Sequence, residues 1–184
     1  MRMRKRKQSG FTIIELVVVI LLLGIMAATA LPRFMDVTDE AHASVINGVN
    51  GGLQAGMSLY RGQWIAEGQP VESVQIAAFG DLRVNAEGYP YGTTDQTANG
   101  HDVFVSADCA AVFTNMLQVG SPSIGSVANL AAVVNQTNDF TTHVSGDDCV
   151  YYYTAAGAIT ATTIPTLSYD SETGAIDQGT QLLP

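Results

Sequence analysis

The amino-acid sequence predicts an α+β fold in which a long N-terminal helix packs on a small antiparallel sheet. The first observation is an almost wholly apolar run over residues 11–31, which continues into an amphipathic stretch over residues 32–64. The second is a change of composition beyond that stretch, where β-branched and aromatic runs alternate with turn residues. Residues 65–184 are numerous enough for one hydrophobic core, so we predict a single β-rich head domain there.

The apolar run has the length of a membrane span. A helix over residues 11–31 would be about 31 Å long at 1.5 Å per residue, close to the thickness of the hydrocarbon core. The run is too long for the apolar part of a secretory signal peptide, and a poor cleavage site follows it. Basic side chains precede it, which would keep residues 1–10 in the cytoplasm and place the head domain across the membrane. These side chains are Arg2, Arg4, Lys5, Arg6 and Lys7.

One carboxylate, Glu15, stands near the start of the apolar run. A charge at a bilayer centre costs about 3 kcal/mol, and the run contains no positive partner for it. A cut between Gly10 and Phe11 would remove the basic residues and create an α-amino group four residues before Glu15. That cation could pair with Glu15 inside one helix or between staggered subunits. The alternative, an uncut membrane anchor, leaves Glu15 unexplained.

The second half of the predicted helix has one apolar face, because its apolar residues recur at steps of three and four. We expect this face to lie on the sheet of the same chain. Gly48, Gly52 and Gly56 share one edge of it, although each costs about 1 kcal/mol of helix propensity relative to alanine. Close approach of a strand or another helix would explain these glycines, and local softness of the helix is the alternative. The apolar positions are Phe34, Val37, Ala41, Val45, Val49, Leu53, Met57, Tyr60 and Trp64.

The clearest signals in the head domain lie in its last third. Residues 149–154 and 163–169 are rich in β-branched and aromatic side chains, and a turn over residues 170–174 returns the chain as a hairpin. Asp108 is the expected N-cap of a short helix over residues 109–117. Weaker predictions are a strand over 80–84, a turn over 85–90, a surface loop over 92–100 and an element of undecided type over 129–134.

The distribution of charge excludes a polyanionic partner such as nucleic acid. Without residues 1–10, three arginines (Arg33, Arg61 and Arg83) stand against seventeen acidic residues, a net charge of −14. A surface that follows a nucleic-acid backbone needs a basic patch instead. The acidity is typical of a soluble head that faces solvent outside the cell.

The two cysteines, Cys109 and Cys149, indicate an oxidising compartment. In a translocated domain two cysteines most simply form one disulfide, and closing a loop of 40 residues would contribute about 4 kcal/mol. Two separate buried thiols are the alternative.

No catalytic or metal-binding pattern is found in the sequence. The three histidines lack the spacing of a metal triad, and no serine lies in a nucleophile elbow. No phosphate-binding glycine loop is present, so we expect neither an enzyme nor a bound cofactor. The acidic clusters at residues 147–148 and 170–172 have side chains that calcium prefers, but such residues also favour hairpin turns.

Residues 10–20, read as Gly-Phe-Thr-Ile-Ile-Glu-Leu-Val-Val-Val-Ile, resemble the N-terminal signature of type IVa prepilins and the related pseudopilins. The resemblance implies a type IV pilin fold, and cleavage after Gly10 by a prepilin peptidase that also methylates the amino group of Phe11. It implies that Glu15 directs assembly of the helices into a filament core. It also implies that Pro32 bends or locally melts the helix, and that a disulfide pins a C-terminal loop to the sheet.

Several later segments are similar to pilins of the mannose-sensitive haemagglutinin (MSHA) system, and more to its minor, biogenesis-type pilin than to its major subunit. They are residues 33–41, residues 62–68, the strand at 149–153 and the final hairpin. This implies a minor subunit that resides in the bacterial inner membrane with its head in the periplasm and then enters an extracellular pilus used for attachment. Its partners would be other pilin subunits, the peptidase and the membrane assembly machinery. The alternatives are a pseudopilin of a type II secretion system and a single-pass membrane protein whose head binds a ligand.

Overall fold

The computed structural model describes residues 10–70, 74–94, 105–118, 120–155 and 163–182, with the backbone alone for residues 33–39. The chain divides into an N-terminal unit, Met1–Ala43, and a C-terminal unit, Ser44–Pro184. The helices are α1 (Ile13–Ala66) and α2 (Ser106–Leu117), with 3-10 turns at Ala77–Phe79 and Leu130–Asn135. The strands are β1 (Gln75–Ile76), β2 (Leu82–Val84), β3 (Pro90–Gly92), β4 (Ile124–Ser126), β5 (Phe140–Ser145), β6 (Asp148–Tyr153), β7 (Thr163–Asp170) and β8 (Ile176–Leu182).

Helix α1 contains the candidate membrane span. The segment Ile13–Pro32 has a mean hydropathy of 2.7 over its most apolar window, and none of that window is buried. Pro32 lies inside α1, which is helical on both sides of it, so the helix does not end at the proline. That the helix bends or locally melts at Pro32 in another state of the chain therefore stays a prediction.

Among its described residues the C-terminal unit contains two sheets, where the sequence predicted one. β1, β2 and β3 form a short antiparallel sheet, and β4 to β8 form a five-stranded sheet in sequence order. The β4–β5 pair is parallel and the other pairs of the larger sheet are antiparallel. A long N-terminal helix with mainly antiparallel sheets confirms the predicted α+β class.

The second half of α1 supplies one wall of the core, as its apolar periodicity predicts. Leu53, Met57 and Tyr60 are at most 4% exposed, and each buried aliphatic side chain of this kind contributes about 1.5–3 kcal/mol. The predicted stripe was wrong at Ala41, which is exposed, and at Val45, which is 42% exposed while Ile46 is buried. Buried tyrosines of α1, β6 and β7 complete the core, and their hydroxyl groups donate to backbone carbonyls: Tyr60 to that of Leu82, Tyr151 to that of Cys109 and Tyr169 to that of Pro90.

Of the three glycines predicted to share one edge of the apolar face of α1, two are explained by close packing against α2. A β-carbon at Gly56 would lie 2.6 Å from the carbonyl oxygen of Met116, and one at Gly52 would lie 2.7 Å from a methyl group of Leu117. The packing explanation fails at Gly48, where nothing lies within 4 Å of that position. The neighbour is the second helix and not a strand.

Asp108 is not the N-cap of the short helix, which corrects the prediction. α2 begins at Ser106 after Val105, so Asp108 lies in the first turn and is 1% exposed. Its Oδ1 accepts hydrogen bonds from the backbone N–H groups of Thr93 and Thr94 and from the Thr94 hydroxyl, at 2.9–3.1 Å. The carboxylate therefore ties the chain after β3 to α2 and does not cap its own helix.

A disulfide joins Cys109 in α2 to Cys149 in β6, with 5.5 Å between the α-carbons. The predicted strands at 149–154 and 163–169 are confirmed by β6 and β7, and the hairpin by β8. The weak strand at 80–84 corresponds to β2, and the undecided element at 129–134 is a 3-10 turn. Of the predicted loop over 92–100, residues 95–100 lie outside the described residues.

Candidate processing and assembly site

The candidate processing site lies immediately before α1. Gly10, Phe11 and Thr12 precede the first helical residue, Ile13, and the Phe11 side chain is 90% exposed. The peptide bond between Gly10 and Phe11 therefore lies in non-helical backbone, next to a side chain that contacts little else in the described part of the chain. Exposed non-helical segments near a chain terminus are the sites where proteolysis concentrates.

Glu15 is held by Thr12 in a reciprocal capping arrangement. Oε2 of Glu15 accepts hydrogen bonds from the backbone N–H of Thr12 at 2.9 Å and from its hydroxyl at 2.7 Å. The Thr12 hydroxyl oxygen in turn accepts the backbone N–H of Glu15 at 3.3 Å. This is a capping box, in which two backbone donors at the start of a helix are satisfied by two side chains.

Thr12 was not predicted as a partner of Glu15, although a signal for it was present in the sequence. The predicted partner was a cation, whereas the chain itself supplies a hydroxyl and a backbone N–H three residues earlier. Thr12-Ile13-Ile14-Glu15 has the spacing of a capping box, which is sufficient to predict the pair. The pairing of Glu15 with a free amino group on Phe11 stays a prediction, because the amino group exists only after cleavage.

The apolar part of α1 presents its side chains outward. The exposure of the large apolar side chains ranges from 42% at Val17 to 83% at Ile13 within α1, and reaches 90% at Phe11 just before it, so none of them is buried within the described residues. A contiguous apolar surface of this size needs a lipid or protein environment. The exposed large side chains are Phe11, Ile13, Ile14, Leu16, Val17, Val18, Val19, Ile20, Leu21, Leu22, Leu23, Ile25, Met26 and Leu31.

In the acidic turn between β7 and β8, the Asp170 carboxylate accepts hydrogen bonds from residues of the same turn. Asp170 Oδ1 accepts the backbone N–H groups of Glu172 and Thr173, and Oδ2 accepts the Thr173 hydroxyl at 2.6 Å. The Thr173 hydroxyl is the main cause that lowers the pKa of Asp170, with the backbone donors of Glu172 and Thr173 adding to it. Within the described ranges no group of three histidine, cysteine or acidic residues could hold a metal ion.

Comparisons with known proteins agree with the N-terminal site. Residues 5–31 match the family described as the prokaryotic N-terminal methylation motif. The chain is 41% identical over 59 residues to the type II secretion system core protein G of Pseudomonas aeruginosa, and 36% identical over 92 residues to the fimbrial protein EcpC of Eikenella corrodens. These matches cover 32% and 42% of this chain, and 42% and 60% of the relatives.

A third relative is matched over most of its length. The chain is 30% identical over 105 residues to the type IV narrow pilus major component PilA5 of Thermus thermophilus, which covers 57% of this chain and 83% of that protein. No solved structure matches the chain significantly. The shared N-terminal motif, the apolar helix and this long match lead to one conclusion: the chain belongs to the type IV pilin family.

Proposed function

We propose that this pilin-type subunit is a minor pilin of an MSHA-like type IV pilus, with a structural and not a catalytic role. The observation that carries the pilin role is the junction at Gly10 and Phe11, followed by an apolar helix whose side chains are exposed. The MSHA-like, minor role is supported by the resemblance of residues 33–41 and 62–68 to that group. In this proposal residues 1–10 are the leader and residues 11–31 form first the membrane anchor and then the filament core. Residues 32–64 form the amphipathic half of the helix, and residues 65–184 the head.

The exposed apolar surface requires two successive environments. In the membrane its side chains contact lipid, since a span of 20 residues is about as long as the hydrocarbon core is thick. In a filament the same side chains pack against helices of neighbouring subunits. Lipid contact is thus exchanged for protein contact, so the step gains little hydrophobic free energy and an external machine has to drive it.

Glu15 sets the axial position of each subunit as its helix moves from the lipid into the filament core. After cleavage the new ammonium group of Phe11 is the nearest cation available to an incoming subunit, while the Glu15 carboxylate is buried among apolar helices. An ion pair between the Phe11 ammonium group and the Glu15 carboxylate offsets the free-energy cost of burying both charges. The pair can form at only one axial displacement of one helix relative to its neighbour. Oε2 is engaged with Thr12, and Oε1 accepts no hydrogen bond from the described residues, which leaves one oxygen for the neighbour.

N-terminal peptide mass spectrometry of the protein from its native membrane tests the proposal. We expect a chain that begins at Phe11 and carries one added methyl group, and we expect the same chain in filaments sheared from the cells. A chain that retains Met1 to Gly10 in cells that contain the peptidase would contradict the proposal. A single-pass anchor with a ligand-binding head would then be the better interpretation.

A pseudopilin of a type II secretion system is the second candidate. It is supported by the match to the core protein G of Pseudomonas aeruginosa, although that match covers less than half of the relative. Processing at Gly10 is common to both candidates, so it does not separate them. Antibody labelling of intact cells does: labelled fibres at the surface support the pilus, and processed protein confined to the periplasm supports the pseudopilus.

A further inference from the structure

A pocket of about 320 Å³ opens in the C-terminal unit between the second half of α1 and the β7–β8 turn. Its floor is apolar, because Met57 and Ile176 line it and are both buried. Its rim on α1 is polar and carries one positive charge. The rim residues are Gln54, Ser58 and Arg61 on α1, with Tyr89, Gly174 and Ala175 opposite.

Arg61 is held in place by a stack of three residues. Its guanidinium group lies 4.5 Å from the centre of the Tyr89 ring, which is the geometry of a cation–π contact. The Tyr89 ring is also packed against Gly174, where a β-carbon would collide with the ring and where the backbone has a φ of +70°. Glycine is therefore needed at this turn for Tyr89 to support Arg61. Within the described residues the guanidinium makes this ring contact and no hydrogen bond, so its N–H groups are able to bind an acceptor.

The charge of Arg61 is not neutralised inside the described part of the chain, where it makes the aromatic contact and no ion pair. This is unusual in a unit of strongly acidic composition. Ser44–Pro184 contains two arginines and thirteen acidic residues, a net charge of −11. A preorganised guanidinium at the edge of a pocket is the group that binds a carboxylate most specifically, through two parallel hydrogen bonds.

We propose that this pocket receives a carboxylate side chain from the head of the adjacent pilin subunit in the filament. The inference rests on the proposed function, since it requires a filament. A free carboxylate of similar size, such as an acidic sugar, fits the same chemistry, but it would have to approach the C-terminal unit, with its charge of −11, unaided. A neighbouring head is tethered to the same filament core, so its effective concentration is high enough for one weak ion pair to matter.

Charge reversal at the pocket tests the proposal in the full-length chain. Arg61→Glu, Arg61→Lys and Ser58→Trp would be compared for incorporation, measured as the ratio of this chain in sheared filaments to processed chain in the membrane. We expect Arg61→Glu to reduce incorporation about fivefold or more, and Ser58→Trp to reduce it by filling the pocket. Arg61→Lys keeps the charge and should retain most of the incorporation. Unchanged cleavage at Phe11 and an unchanged melting temperature show that each variant is processed and folded.

A photo-crosslinking amino acid at Ser58 identifies what occupies the pocket. We expect a light-dependent product in sheared filaments that joins this chain to a subunit with a cleaved, methylated N-terminus. The crosslinked peptide should contain an Asp or Glu, and Arg61→Glu should abolish the product. A second experiment measures the binding of galacturonate, a free carboxylate ligand, to the detergent-solubilised subunit. Arg61-dependent galacturonate binding, together with normal incorporation of Arg61→Glu, would overturn the proposal in favour of a free ligand.

The remaining outcomes separate this inference from the proposed function. Wild-type filaments with normal incorporation of both Arg61→Glu and Ser58→Trp would overturn the inference and leave the pilin role intact. An uncut chain that never enters a filament would overturn the proposed function and this inference with it.

Discussion

Thr12 and Glu15 hold each other at the first turn of α1, with the threonine hydroxyl donating to Oε2 at 2.7 Å and accepting the glutamate N–H at 3.3 Å. The carboxylate on which assembly is proposed to depend is thus already oriented in the single chain. A side chain held in one rotamer loses less conformational entropy when it pairs with a neighbour. Thr12 is therefore a positioning residue for Glu15, and the two contributions can be separated by substitution.

Substitutions at the capping pair should affect assembly to different degrees. Glu15→Gln retains an oxygen that can accept from Thr12 but removes the charge, so we expect normal cleavage at Phe11 and almost no incorporation into filaments. Thr12→Val removes the cap, worth about 1 kcal/mol, and should lower incorporation by about fivefold at most. Quantitative mass spectrometry of membranes and sheared filaments measures both effects. Equal incorporation of Glu15→Gln and wild type would show that the charge is dispensable.

Alanine substitutions at the helix glycines should have opposite effects on stability. Gly56→Ala places a β-carbon 2.6 Å from the Met116 carbonyl, so we expect a loss of about 1–3 kcal/mol despite the better helix propensity. Gly48→Ala meets nothing within 4 Å and should gain up to about 1 kcal/mol. Urea unfolding of the two full-length variants in detergent measures the difference. A Gly56→Ala protein as stable as Gly48→Ala would mean that α1 and α2 do not pack closely.

The elements that the sequence predicts well are those whose signal is local. The β6 strand, the β7–β8 hairpin and the apolar face of α1 each follow from periodicity or turn chemistry in one short segment. β4 gave no comparable signal, because it has three residues and pairs in parallel with β5 across an intervening 3-10 turn. A strand of three residues that depends on such a partner cannot be identified from its own composition.

The candidate site shows the same division between local and long-range information. Gly10, Phe11 and Glu15 are recognisable because they lie in one linear motif, the N-terminal methylation motif that residues 5–31 match. Asp108 was misassigned because an acidic residue beside a helix start is usually a cap, whereas here its acceptor oxygen serves Thr93 and Thr94. The Arg61 stack on Tyr89 joins residues 28 positions apart through the fold alone, and no sequence pattern indicates it.

Removal of the disulfide should destabilise the head without preventing processing. A loop of 40 residues between Cys109 and Cys149 contributes about 4 kcal/mol in the chain-entropy model. We expect Cys109→Ser/Cys149→Ser to be cleaved at Phe11 but to melt at a lower temperature, and wild type in reductant to match it. Thermal unfolding with and without dithiothreitol measures this. If reductant lowered the melting temperature of the double variant as well, the effect would not come from this bond.

Asp170 should stabilise the head at neutral pH and lose its effect in acid. Hydrogen bonds led by the Thr173 hydroxyl lower its pKa, so the folded chain binds the proton less tightly than the unfolded chain. Its contribution is complete above the ordinary carboxyl pKa and disappears as the pH falls through the lowered value. We expect Asp170→Asn to melt below wild type at pH 7, with the gap closing in strong acid. A gap that stays constant with pH would indicate lost packing, not a lost charge.

Asp148, opposite Asp170 in the β6–β7 register, should behave in the reverse sense. Burial raises its pKa, and the neighbouring charges of Asp170, Asp147 and Asp177 raise it further, so the folded chain binds the proton more tightly than the unfolded chain. The charged Asp148 carboxylate destabilises the folded chain fully at neutral pH, where it is ionised in both the folded and the unfolded chain. This destabilisation is relieved as the pH falls through the raised pKa. Asp148→Asn should therefore melt above wild type at pH 7 and approach it in acid, because protonation has by then removed the same charge from the wild-type chain.

A scan of melting temperature from pH 7 to pH 3 on wild type, Asp148→Asn and Asp170→Asn compares the two opposite effects directly. Destabilisation by Asp148→Asn at neutral pH would show that hydrogen bonds to this carboxylate outweigh the repulsion around it.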